Sequence, residues 1–71
     1  MTTFTLSPEY INGEFLELQA TDLTDFITQA LSHNVKINAV SLNPNNIYKC
    51  TVDGAFYNGT KTLMTHYIEV V

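Results

Sequence analysis

The sequence predicts an α+β fold: a small antiparallel β-sheet of four to five strands, in the order β-β-α-β-β-β, with one amphipathic helix packed on one face. Three observations predict it. One segment, Asp22 to His33, carries helical periodicity. The segments around it alternate polar and apolar residues, which is the period of a strand. Clusters of Asn, Pro and Gly separate these segments, and such residues favour turns. A chain of 71 residues has room for a single domain, 1–71, with one small core.

The first strand is expected over Thr3 to Leu6, with Phe4 and Leu6 on one face. Pro8 has no N–H to give a ladder, so this strand should be an edge or break there. Asn12-Gly13 is the favoured pair for a type I′ hairpin, because both residues tolerate positive φ. The return strand, Glu14 to Ala20, turns Leu16, Leu18 and Ala20 one way and Phe15, Glu17 and Gln19 the other. A two-residue turn at Asn12-Gly13 would set Leu6 opposite Gln19, out of phase. A bulge near Ser7-Pro8, or pairing of the first strand elsewhere, is the expected remedy.

In the helix, Leu23, Phe26, Ile27, Ala30 and Leu31 fall at i, i+3, i+4, i+7 and i+8, one stripe of a 3.6-residue repeat. Thr24, Asp25, Thr28, Gln29 and Ser32 form the opposite face. Thr21 or Asp22 supplies an N-cap oxygen. Asp22 and Asp25 suit the positive end of the helix dipole. Asn34, tolerant of the left-handed conformation, suits the C-terminal end. A helix this short is marginal alone in water, so its stripe must lie on the strands.

Beyond the helix, Val35, Ile37 and Ala39 share a face, then Val40 and Leu42 continue on the other parity. A bulge is expected near Ala39. Asn43 to Asn46 reads as a turn. The strand from Ile47 to Val52 sets Tyr48, Cys50 and Val52 against Ile47, Lys49 and Thr51. Asp53-Gly54 and Asn58-Gly59 are both turn pairs, so Asp53 to Gly59 is expected to form one excursion displaying Phe56 and Tyr57. The last strand, Thr62 to Val71, carries Met64, His66, Ile68 and Val70 on one face and Leu63, Tyr67 and Val71 on the other. Apolar residues on both faces indicate a central strand, or one that meets a partner.

Composition excludes several functions. The net charge is −4, with three Lys+Arg against seven Asp+Glu, so direct nucleic-acid binding is not expected. A basic protein surface is the better electrostatic match. The single cysteine, Cys50, rules out an internal disulfide. No signal-peptide pattern follows Met1, and no apolar run reaches membrane-spanning length, so a cytoplasmic location is expected for what reads as a small complete open reading frame.

Candidate chemistry is sparse. His33, His66 and Cys50 match no metal-site spacing. A nucleophilic Cys50 with a histidine base competes with the simpler reading of a buried thiol in phase with Tyr48 and Val52. Neither a catalytic residue, a cofactor nor a metal is therefore assigned. Asn58-Gly59-Thr60 fits a glycosylation acceptor and, more simply, a turn. Glu9, Glu14, Glu17, Asp22 and Asp25 precede any lysine, forming either a solvated rim or a surface that imitates nucleic-acid phosphates. The aromatic residues Tyr10, Phe15, Phe56, Tyr57 and Tyr67 exceed what one helix can cover, and surface aromatics are typical of binding hot spots.

The sheet-plus-one-helix pattern, small size, acidity and lack of motifs resemble the accessory proteins of phages and mobile elements, small anti-defence inhibitors such as anti-CRISPR proteins among them. The resemblance is one of build, with no motif matching residue by residue. It implies a non-enzymatic inhibitor or accessory protein that occludes a basic or functional surface of a larger protein or complex. Tyr10, Phe56 and Tyr57 are the expected contacts, with Glu14, Glu17, Asp22 and Asp25 steering. Two alternatives remain: a structural homo-oligomer, a dimer for example, built through the last strand, and a small enzyme with His66, Cys50 or Tyr67 at an oligomer seam.

Overall fold

The helix forms where its periodicity places it. In the computed structural model, which describes residues 1–57 and 59–71 and the side chains outside 55–58, α1 spans Leu23–Ser32. Asp22 is its N-cap, and its Oδ1 accepts the Asp25 N–H at 2.8 Å. The C-terminus closes as a Schellman motif. Asn34 takes φ 63°, its N–H donates to Leu31 O, and the Val35 N–H donates to Ala30 O, each at 3.0 Å. Phe26 and Ala30 are fully buried, with Leu23 and Ile27 packed beside them. Leu31 departs from the expected stripe and is 59% exposed. It is the penultimate residue of the helix.

Five strands make one antiparallel sheet: β1 (Thr2–Pro8), β2 (Leu16–Ala20), β3 (Lys36–Leu42), β4 (Tyr48–Tyr57) and β5 (Thr60–Val70). Their order across the sheet is β2-β1-β5-β4-β3. The fold is thus the α+β arrangement read from the sequence. Phe4, Leu6, Ala20, Ile37, Cys50, Val52, Met64 and Ile68 point to the helix side and, with Phe26, Ala30 and Val35, form the core. Phe4 and Phe26 stack with ring centroids 5.5 Å apart. The opposite face carries Thr3, Thr5, Thr51, Thr65 and Tyr67, and no helix among the described residues covers it.

The register decides three expectations. First, of the two alternatives at Pro8, β1 is not an edge but ends there: it pairs with β2 on one side and β5 on the other and stops at Pro8. Pro8 is tolerated because carbonyl and amide directions alternate along a strand. Glu9 N–H donates to Thr65 O on the β5 side, so the missing Pro8 donor faces the β2 side, where pairing has already ended at Leu6 and Leu16. Second, Asn12-Gly13 is not a type I′ hairpin. Neither residue has positive φ, and the Gly13 N–H donates to Tyr10 O in a turn within a longer loop, 9–15. The longer loop pairs Leu6 with Leu16 and Phe4 with Leu18, so β1 needs no bulge. Third, Asp53 to Gly59 is not an excursion. β4 runs on to Tyr57, which pairs with Thr60, and Asp53-Gly54 is a bulge with Gly54 at φ 94°. The side chains of Phe56 and Tyr57, and the whole of Asn58, lie outside the described residues.

The bulge expected near Ala39 is present. Asn38 pairs with Thr51 and Ser41 with Lys49, so Ala39 and Val40 together oppose Cys50. Ala39 makes the extra residue fit by adopting φ 54°.

Candidate functional site

The loop joining β1 to β2 is held from below by one side chain. His66 is 0% exposed and sits on the helix-side face of β5, opposite Pro8 and Cys50. Its Nε2 accepts the Glu14 N–H at 2.8 Å, and its Nδ1 lies 2.8 Å from Met64 O. A carbonyl can only accept, so Nδ1 carries the proton. An amide N–H can only donate, so Nε2 is bare. Both partners therefore fix one neutral tautomer. The ring meets the loop closely because Gly13 lies over it: a Cβ there would come within 2.7 Å of His66 Nε2 and would also strike Pro8 Cβ.

This anchor fixes what the loop shows to solvent. Ile11 is 96% exposed, Phe15 69% and Tyr10 56%. Glu9 is exposed and Glu14 half-buried at the two ends of the same loop, and Glu17 follows on the uncovered face of β2. Tyr10 and Glu9 face Thr62, Leu63, Met64 and Thr65 of β5 across a cleft of about 400 Å³. Leu63 is 59% exposed at that cleft. The arrangement brings Tyr10, Glu14 and Glu17, three of the residues singled out from sequence, to one end of the sheet. Phe15, another of the aromatics noted in the sequence, joins them, and Ile11 and Leu63 are additions.

Asp22 and Asp25 stand apart from that end and are occupied at the helix start. The Asp25 carboxylate accepts the Thr21 N–H at 2.9 Å, the Gln29 side chain at 3.2 Å and the Thr21 hydroxyl at 3.3 Å. The Thr21 backbone bond, opposed by partial desolvation and aided by the two side chains, holds this carboxyl below its usual range. Gln29 also donates to Gln19 O at 3.0 Å, tying the helix to the outer edge of β2.

No family model matches this chain, and no curated protein or solved structure does either.

The residues weighed for a reaction do not all share one face of the sheet. Cys50 is 1% exposed, its Sγ–H faces His66 O at 3.6 Å, and burial pushes its thiol up to about 11. Both ring nitrogens of His66 are engaged, as above. Tyr67 projects from the opposite face of the sheet. His33 caps the helix C-terminus, away from both. Among the described residues no three His, Cys, Asp or Glu side chains are grouped to hold a metal ion, and no helix is long and apolar enough to cross a membrane.

Proposed function

We propose that this chain is a small non-enzymatic protein-binding module that covers a functional surface of a larger partner, in the manner of an inhibitor or accessory protein. One observation carries the reading. A loop anchored by a hydrogen bond to the buried His66 holds Ile11 and Phe15 in solvent, between acidic residues at positions 9, 14 and 17. Exposed apolar side chains on a preorganised loop lose little entropy on docking. Aromatic anchors ringed by polar groups are the usual composition of a hot spot. The acids add attraction toward a basic rim on the partner and repel acidic competitors. The resemblance in build to small anti-defence inhibitors supports occlusion as the mode.

A photo-cross-linking phenylalanine analogue at Phe15, with the same group at Thr28 on the outer helix face as control, tests this in lysate of the source cells. The expected result is one discrete heterologous adduct from position 15, absent from position 28 and weakened by Glu14→Lys with Glu17→Lys. No adduct from positions 10, 11 or 15 would end the reading.

A second reading, a homo-oligomer, has its own observation. Leu42 and Val70 are both more than half exposed and line a second cleft of about 580 Å³ at the far end of the sheet. Such an oligomer would meet through that end. Along the residues it shares with β1, the last strand has neighbours on both sides and offers no edge to a copy. Solution mass by light scattering across a tenfold concentration range separates the two: a constant monomer mass excludes the oligomer.

A further inference from the structure

We infer that the open edge of β5 beside Glu9 takes up an extended segment of the partner as an added antiparallel strand, with its cationic N-terminal end at Glu9. This rests on the protein-binding reading and specifies its mode. The two strands that flank β5 do not cover it equally. Pairing with β4 continues to Tyr57 and Thr60, whereas pairing with β1 stops at Pro8 and His66. The last bond on that side is Glu9 N–H to Thr65 O, after which the chain turns away at Tyr10–Gly13. Backbone groups alternate in direction along a strand. Thr65 O and Val71 N both point to the β1 side, so the same groups of Leu63 and Lys61 point there too. Nothing from β1 reaches them. The cleft of about 400 Å³ lies at this gap, with Leu63 on one wall and Tyr10 on the other.

An exposed edge is a template for strand addition, and alternate side chains of the added segment settle specificity. The blocking loop sets the direction. A segment antiparallel to β5 would begin against Glu9 and Tyr10, bringing an α-amino group or a lysine to an acidic side chain. A parallel segment would end there and bring its own carboxylate toward Glu9. The chain's net charge of −4 favours the first.

The test pans a random displayed-peptide library, then measures synthetic copies of the enriched peptides by calorimetry on the full chain. Enriched peptides should alternate apolar and polar residues, carry a free amine or lysine at their start, and lose about tenfold in affinity to Glu9→Lys. Leu63→Pro should abolish binding, since it removes an outward donor that no neighbouring strand uses. Should that variant fold poorly, slowed hydrogen exchange of the Leu63 amide in the wild-type complex supplies the same information. No enriched peptide, or peptides whose affinity ignores Glu9→Lys and whose binding leaves the Leu63 amide exchanging as before, overturns the inference. The two readings fail separately: a Phe15 adduct that survives Leu63→Pro would leave the loop as the binding surface and remove the edge.

Discussion

His66 links parts of the chain that are far apart in sequence, because it joins Glu14 to the strand that closes the sheet. Replacing it with Ala would leave the Glu14 N–H without its partner and open a cavity under the loop. A buried donor left unpaired costs about 1–3 kcal/mol, less where water reaches it as at this part-buried amide, and the lost packing of the buried ring adds to it. A loss of about 1–3 kcal/mol is expected in urea unfolding, with faster proteolysis inside 9–15. Gly13→Ala acts on the same contact from the other side, since its Cβ has nowhere to go between Pro8 and the imidazole. A loss of about 1–3 kcal/mol is expected, the usual cost of overpacking. Cys50, buried with its thiol raised to about 11, should react with a thiol reagent only as fast as the protein unfolds. Reaction at the rate of a free thiol under native conditions would contradict its placement. None of the His66 network is visible as a sequence pattern. Its two ends are 52 positions apart, and a strand histidine in phase with Met64 and Ile68 reads only as inward-facing.

The elements were far more legible than the connections between them. The i, i+3, i+4 stripe and the Asp22 and Asn34 signals located α1 to within a residue, because caps act locally. The strand faces followed from parity alone. The turns misled where Gly served another purpose: Gly13 gives close approach and Gly54 gives a bulge. Neither role differs from a hairpin turn in a dipeptide. At this scale Ala39 offers a clean test. A non-glycine residue in the left-handed region is held about 1–2 kcal/mol above its preferred conformation. Ala39→Gly removes that strain but frees the unfolded chain, so a net gain of about 0.5–1 kcal/mol in unfolding free energy is expected. The helix start carries a pH dependence. The Asp25 carboxyl is held below its unfolded range, so its bonds contribute fully above that range and are lost as pH falls through the folded value. Acid titration of the melting temperature should thus fall less steeply in Asp25→Asn, which is already weakened at neutral pH.

For the whole molecule, the order β2-β1-β5-β4-β3 sets the two strands nearest the chain ends side by side at the centre of the sheet. Leu6 faces Ile68 there, both 0% exposed. Native-state hydrogen exchange should therefore be slowest along the pairing of β1 with β5. It should be faster at residues 60–63 of β5, which only β4 supports. The reading of β5 as central was available from its apolar residues on both faces. That β1 is its neighbour was not, since a seven-residue alternating segment with one buried face is compatible with either position in a sheet.

That central pairing also constrains how the protein is made. β1 is translated well before β5, its partner on one side. The hairpins β1–β2 and β3–β4 can form as they appear, but they remain two separate halves until β5 inserts between them. Folding of the sheet is accordingly limited by one long-range closure. Until then the apolar face of β1 is open to whatever first meets a nascent chain.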